Sequence, residues 1–139
     1  MTVYVVGTDG SATAAKAAER AGELARATGA TVHVVCAYTN RGTTTIESGS
    51  DTFFVSALTD AEDIAEKQAS ALRAGGVTVT VAAVDGKPAA IILEEAKRVH
   101  ADLIVVGNRR MQGVQRILGA VANDVVHHAD CDVLVVKTV

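Results

Sequence analysis

Five short segments rich in valine and isoleucine recur along the chain, spaced as strands that alternate with helices. They are Val3–Gly7, Val32–Tyr38, Val77–Val84, Leu103–Gly107 and Asp132–Lys137. Several are almost continuously apolar, which is typical of strands that are covered on both faces in a parallel sheet. The pattern therefore predicts five buried, parallel strands.

Segments with helical spacing separate these strands. The predicted helices cover Ser11–Thr28, Ala57–Ala74, a segment whose first turn holds Pro88, and about Ala120–Ala129. Gly29 and the pair Gly75 and Gly76 provide stops for the first two helices. The alternation predicts one doubly wound α/β domain over residues 1–139, with right-handed crossovers and helices on both faces of the sheet.

Apolar residues at three- and four-residue steps indicate which side of each helix faces the sheet. In the first helix they are Ala14, Ala18, Ala21 and Ala25, and in the second Leu58, Ala61, Ala65, Gln68 or Ala69, and Leu72. In the third they are Ala89, Ile92, Leu93, Ala96 and Val99, and in the fourth Val121, Val125 and Ala129.

One irregular segment interrupts the pattern. Thr39–Ser56 consists mostly of Thr, Ser and Gly and is predicted to be a long loop. Loops of this length in compact domains are usually lids, binding loops or disordered. Phe53 and Phe54 either anchor this loop or pack on the helix that follows.

Composition and charge narrow the classes of function. The 139 residues are 49% hydrophobic with a net charge of −3, which argues against a general nucleic-acid binder, so any anion site must be local. Cys36 and Cys131 stand beside strands rather than in spaced pairs, as in reduced cytoplasmic proteins. The start of the chain has no signal-peptide pattern, and no apolar run is long enough to span a membrane.

Two strands end in the same way. Val5–Ser11 reads VVGTDGS and Val105–Met111 reads VVGNRRM, so two valines and a glycine precede polar residues in each. Open α/β sheets bind ligands in the crevice beyond the carboxyl ends of their strands. Asp9 either contacts a ligand there, at a ribose hydroxyl or a phosphate-bound metal, or caps the first helix together with Ser11.

The second of these strands runs into a basic segment. Val105–Val121 holds Arg109, Arg110 and Arg116 without an acidic residue, and it leads into a predicted helix N-terminus. Backbone N–H groups and the helix dipole favour an anion at such a place. The sequence contains no P-loop and no GxGxxG pattern, which mark nucleotide sites. It also lacks the HExxH pattern of zinc metalloproteases and the GxSxG pattern of α/β-hydrolases. The adjacent His127 and His128 point about 100° apart on a helix, so they do not chelate one metal ion.

The chain resembles the universal stress protein family along its whole length. The matching segments are VVGTDGS, GKP at Gly86–Pro88, ADLIVVGN at Ala101–Asn108, and LGAVANDVVHHADCDVLVVKT at Leu118–Thr138. The resemblance implies an adenine-nucleotide alpha-hydrolase-like fold with strand order 3-2-1-4-5, in which strand one lies beside strand four. It also implies a cytoplasmic stress-response protein and a homodimer paired through Asp132–Lys137.

Many family members bind ATP through a glycine, two residues, a second glycine, nine residues, and a glycine followed by Ser or Thr. Here Gly107 matches the first glycine and Gly119 the last, but Arg110 replaces the second. Eight residues separate Arg110 from Gly119, and Ala120 replaces the hydroxyl residue. The nucleotide contacts that the resemblance implies are Gly7, Thr8, Asp9, Ala37, Val106, Gly107, Asn108, Arg110, Gly119, Ala120, Val121 and Ala122.

Three functions follow from these observations. The first is a regulatory protein that binds ATP, AMP or cyclic AMP, with or without Mg²⁺, and does not turn it over. The second is a family member that has lost nucleotide binding and acts as a dimeric stress or interaction module. The third is a slow ATPase, in which Asp9 is the only candidate for a metal ligand or general base.

Overall fold

The computed structural model describes residues 1–39, 50–108 and 118–138, with only the backbone described for residues 50–56. Its elements are β1 (Val3–Gly7), α1 (Ala12–Thr28), β2 (Thr31–Tyr38), α2 (Ser50–Ala74), β3 (Thr78–Asp85), α3 (Pro88–Arg98), β4 (Leu103–Asn108), α4 (Ala120–His128) and β5 (Asp132–Lys137). The strands form one sheet of order β3-β2-β1-β4-β5, and every neighbouring pair is parallel. The predicted strands, their order and the doubly wound α/β fold are confirmed, with strand ends shifted by at most one residue.

Each face of the sheet is covered by two helices, because alternate residues of the strands point to opposite sides. On the first face, Tyr4 and Val6 of β1 and their neighbours pack against α1 and α2. On the second face, Val5 of β1 and Ile104 of β4 pack against α3 and α4. The buried residues of α1 are mostly alanines, which let this helix lie close to the strands.

Local signals set the ends of the helices. Gly29 takes a left-handed conformation (φ 78°), and its N–H donates to Ala25 O at the end of α1. Pro88 stands at the start of α3, where its missing N–H costs no helical hydrogen bond. Within the described ranges, no helix is both long and apolar enough to cross a membrane.

The predicted loop Thr39–Ser56 is wrong over its last part. α2 begins at Ser50, so residues 50–56, including the backbone of Phe53 and Phe54, are helical. Ser and Asp favour both loops and the first turn of a helix, so their presence at residues 50 and 51 does not distinguish the two. Residues 40–49 and the side chains of both phenylalanines lie outside the part of the chain that is described.

The predicted helix faces are mostly confirmed, with three corrections. Leu58 and Val121 were expected to face the sheet, but they are 37% and 38% exposed. Glu95 was not expected in the core, yet it is buried on the inner side of α3 beside Ile92 and Ala96. Periodicity of apolar residues cannot reveal a buried carboxylate.

Candidate functional site

A crevice opens at the carboxyl ends of β1 and β4, which are neighbours in the sheet. The cavity has a volume of about 230 Å³. Seven of the predicted contact residues line it: Gly7, Thr8, Asp9, Ala37, Val106, Gly107 and Val121. The two strand ends that share a sequence pattern therefore converge on one cavity.

The walls also contain residues that were not predicted as contacts. They are Ser11, Thr13, Ala14, Val35, Pro88 and Ile92. Most of them carry no polar signal in the sequence, and their pattern indicated only helix or strand interior. Their place in the crevice follows from how β2, α1 and α3 pack around the end of β1.

The loop from β1 to α1 is held by short hydrogen bonds. Thr8 N donates to Val35 O at 2.8 Å, and Gly10 N, in a left-handed conformation (φ 82°), donates to Thr8 Oγ1 at 3.2 Å. Ser11 Oγ accepts from Ala14 N at 3.1 Å and is the N-cap of α1. Asp9 Oδ1 accepts from Ser11 N at 2.9 Å. Ser11 alone therefore caps the helix, while Asp9 stabilises the turn and keeps an exposed carboxylate at the rim of the crevice.

The negative charge of Asp9 acts on the end of β2. Burial, and secondarily the Asp9 carboxylate, raises the pKa of the Cys36 thiol. Cys36 therefore stays a neutral thiol at physiological pH and behaves as a small core residue.

The end of β4 is bonded to the start of α4. Asn108 is 3% exposed, and its Oδ1 accepts from Gly119 N at 2.9 Å. Asn108 therefore joins the end of β4 to the N-cap of α4, and it is not among the residues that line the cavity. Arg110 falls in that segment and lies outside the described residues.

No side chain among the described residues caps the first turn of α4. Gly119 is the N-cap without a side chain, and Ala120 is the first helical residue. Backbone N–H groups of an uncapped first turn are suited to bind an anion. Ala122, by contrast, is 2% exposed and packs with Val125 in the core of the second face.

Gly107 is required by close packing. A Cβ at this position would lie 2.9 Å from Thr13 O, 3.0 Å from Thr13 Cγ2 and 3.2 Å from Thr138 Cγ2. The missing side chain thus lets the start of α1 and the residue after β5 approach β4 beside the crevice.

A larger groove of about 860 Å³ lies between α1 and α2. It shares Thr8 and Ser11 with the crevice, and its other walls include Glu19, Glu23 and Lys67. It gathers few of the predicted contact residues, so the smaller crevice is the stronger candidate site. Among the side chains described, no three His, Cys, Asp or Glu residues are grouped to hold a metal ion.

The family model described as "Universal stress protein family" matches residues 2–137. The chain belongs to the universal stress protein family. Universal stress protein A homolog 2 of Coxiella burnetii is 49% identical over 47 residues, which are 34% of this chain and 32% of that protein. Universal stress protein Slr1101 of Synechocystis is 50% identical over 54 residues, 38% of this chain and 50% of that protein. The matches thus span half or less of these relatives.

Solved universal stress proteins match over nearly the whole chain. One, in complex with cAMP, is 32% identical with a TM-score of 0.67 and coverage of 99% of this chain and 98% of that one. Another, from Archaeoglobus fulgidus in complex with dAMP, is 26% identical with a TM-score of 0.63 and the same coverage. UspA from Lactobacillus plantarum, 22% identical with a TM-score of 0.80 and coverage of 98% and 97%, supports the fold alone. The resemblance and the adenine-nucleotide alpha-hydrolase-like fold predicted for this universal stress protein are confirmed.

Proposed function

We propose that this universal stress protein binds an adenine nucleotide in the crevice between β1 and β4, and acts by binding and not by turnover. The observation that carries the proposal is the meeting of Gly7, Thr8 and Asp9 with Val106 and Gly107 around one cavity. The family members in complex with cAMP and dAMP give independent support. The proposed role of the protein is that of a cytoplasmic stress-response regulator.

The crevice divides into an apolar and a polar part, as nucleotide sites usually do. Val35, Ala37 and Ile92 offer an apolar surface for the base. Asp9, at the rim, offers a carboxylate acceptor for ribose hydroxyls. Val121 in the first turn of α4 lines the cavity, whereas Gly119 and Ala120 do not, so we infer that backbone N–H groups of this turn reach a phosphate at the edge of the crevice.

The part of the proposed site that would bind phosphate departs most from the family motif. Ala120 lacks the hydroxyl that the family loop uses, a loss of roughly 0.5–1.5 kcal/mol for one hydrogen bond. Arg110 in place of a glycine either obstructs the phosphates or holds them by a charge-assisted contact. Titration of Arg110→Gly with ATP and with adenosine separates these outcomes. Tighter ATP binding by the variant indicates obstruction, and weaker ATP binding indicates a phosphate contact. Adenosine has no phosphate, so its affinity should not change in either case.

Calorimetric titration with ATP, AMP and cyclic AMP tests the proposal. We expect binding to at least one nucleotide, and Asp9→Ala to weaken it by about tenfold or more through the lost acceptor. Asp63→Ala, which removes an exposed carboxylate from α2, is the matched control and leaves the affinity unchanged. Absence of heat at millimolar nucleotide overturns the proposal and favours the dimeric module without a nucleotide.

The proposal includes a homodimer that pairs through β5. β5 is an edge strand, and its apolar run is only partly buried in the single chain. Pairing of such an edge with a second copy removes an aggregation risk.

Mass spectrometry of small molecules released from freshly purified protein is the direct test of which nucleotide, if any, the protein carries.

A further inference from the structure

A chain of hydrogen bonds with a buried centre lies on the second face of the sheet beneath α3, and its two outer members, Thr80 and Arg98, are exposed. Thr80 Oγ1 on β3 lies 2.7 Å from His33 Nδ1 on β2, and His33 Nε2 lies 2.8 Å from Glu95 Oε1 on α3. Arg98 closes the chain with two bonds to the same carboxylate, Nη2 to Oε1 at 2.7 Å and Nε to Oε2 at 2.9 Å. His33 is 2% and Glu95 7% exposed, so β2 and α3 are joined inside the core, while Thr80 extends the chain to β3 at the surface.

The direction of these hydrogen bonds is determined by Glu95. The hydrogen bond from Arg98, above the opposing effect of burial, lowers the pKa of Glu95 to about 2, so the group is a carboxylate at neutral pH. A carboxylate only accepts, and His33 Nε2 therefore carries a proton and donates it. The Thr80 hydroxyl can pair with Nδ1 as donor or as acceptor, because a hydroxyl does both.

Stability alone does not explain a buried carboxylate and imidazole in this place. Replacing such buried polar partners with apolar side chains of similar volume is often neutral or stabilising. Apolar packing by Ile91, Ile92 and Ala96 holds α3 against the sheet by shape, and a hydrogen bond adds a directional restraint on its position along the helix axis. A hydrogen bond from His33 to Glu95 restrains that position.

The position of α3 matters because Ile92 forms part of the crevice. Ile92 stands three residues before Glu95, and a Cβ on Gly7 would lie 2.6 Å from its Cδ1. Ile92 thus fills the space that the missing side chain of Gly7 leaves, next to Ala37 and Pro88 in the cavity wall. A displacement of α3 along its axis either opens this contact or pushes Ile92 further into the cavity.

We propose that Glu95 and His33 are positioning residues for the nucleotide crevice, holding α3 so that Ile92 seats against Gly7. This inference rests on the proposed function. The test is the double variant His33→Leu and Glu95→Leu, which removes both buried polar partners and leaves the crevice residues unchanged. Val79→Ala, a buried position on β3 whose side chain packs on the first face, is the control for simple destabilisation.

Two measurements are made on each protein. The first is the dissociation constant for ATP and cyclic AMP by calorimetry, and the second is the nuclear Overhauser effect between the Gly7 Hα protons and the Ile92 δ1 methyl. We expect the double variant to stay folded, to bind about tenfold more weakly, and to lose intensity in this effect. We expect Val79→Ala to melt at a lower temperature with wild-type affinity and wild-type intensity.

Each outcome has a separate meaning. Wild-type affinity and an unchanged Gly7–Ile92 signal in the double variant overturn the positioning role. Weaker binding in Val79→Ala by the same factor also overturns it, because the effect then follows stability. If the wild-type protein binds no nucleotide, the proposed function fails, and the signal in the free protein still decides whether the pair positions Ile92. If the double variant does not fold, Glu95→Gln, which keeps the volume and weakens the bond to Arg98, provides the same two measurements.

Discussion

At the scale of single residues, the two glycines that end β1 and β4 serve different purposes. A Cβ on Gly107 would meet the backbone oxygen of Thr13 at 2.9 Å, and that backbone belongs to the region where α1 starts. A Cβ on Gly7 would lie 2.6 Å from the flexible end of the Ile92 side chain, and only in ordinary contact, at 3.9 Å, with the backbone oxygen of Val35. Space at Gly107 is therefore set by the fold, while space at Gly7 depends on one movable side chain.

Gly107→Ala is expected to destabilise the protein by about 1–3 kcal/mol, the usual range for overpacking a filled interior. Gly7→Ala is expected to cost clearly less, because Ile92 can change rotamer. Urea unfolding of the two variants measures the difference. Equal losses at both positions would contradict this account.

Glu95 is expected to make folding stability fall in acid. Its folded-state pKa is lowered from 4.5 to about 2, chiefly by the hydrogen bond from Arg98, and its side chain is only 10% exposed. A carboxyl group with a lowered pKa contributes its full stabilisation above its unfolded pKa of 4.5 and loses it as pH falls towards 2. At neutral pH the ionised form of Glu95 contributes about 3 kcal/mol more than its protonated form would, a comparison that says nothing about replacement by apolar side chains.

The measurement is the difference in unfolding free energy between wild type and Glu95→Gln at two pH values. That difference should be smaller by about 2 kcal/mol at pH 3 than at pH 6. Glu66→Gln, at an exposed ion pair with Arg73, serves as the control and should show little change. A difference for Glu95→Gln that is constant with pH would refute the assigned pKa.

At the scale of elements, α1 brings the crevice and the core together. Its alanines pack on the first face, and its N-terminal residues Thr13 and Ala14 stand in the crevice wall. The Ser11 cap sets where the helix begins, and the Asp9 turn sets how the chain enters it. One short loop therefore carries both a structural and a proposed binding role, on different side chains.

Ser11→Ala is expected to cost about 1 kcal/mol, because Ala14 N loses its acceptor. Ser70→Ala, at an exposed position inside α2, should be neutral or slightly stabilising because alanine is the better helix former. Thermal unfolding of both variants provides the comparison. Equal effects of the two substitutions would show that the cap does not stabilise α1.

At the scale of the whole molecule, the sheet has two edge strands at which a second copy could pair. β3 is the edge on one side and β5 on the other. The proposed dimer uses β5 alone, so a charge placed there should act on assembly, while the same charge on β3 should not.

Val135→Lys is expected to shift the protein to a monomer, because it places like charges on both sides of the proposed β5 pairing. Val81→Lys, at a 38% exposed position of β3, is the control for a lysine on the other edge and should remain a dimer. Val135 is partly buried against the core of the second face, so circular dichroism first checks that Val135→Lys is folded. Sedimentation equilibrium measures both. Dissociation by Val81→Lys but not by Val135→Lys would assign the interface to the other edge.

Much of the fold followed from the sequence, because local patterns report local environments. The valine-rich runs predicted all five strands to within one residue at each end, and Gly29 and Pro88 marked helix ends. The convergence of Gly7–Asp9 and Val106–Gly107 followed once β1 and β4 were expected to be neighbours, and the strand order itself came from the family resemblance. The start of α2 was missed because Ser and Asp are as typical of a helix start as of a loop.

Only the tertiary structure decided which residues meet across the molecule. Glu95 is accommodated in the core because the fold brings His33, 62 residues away, to one side of its carboxylate and Arg98 to the other. Ile92 carried the signal of an ordinary core residue, and its contact with Gly7 depends on how α3 crosses β1. The sequence determined strands, helices and the polar strand ends because those depend on neighbours along the chain, whereas buried polar partners and cavity walls depend on packing between distant elements.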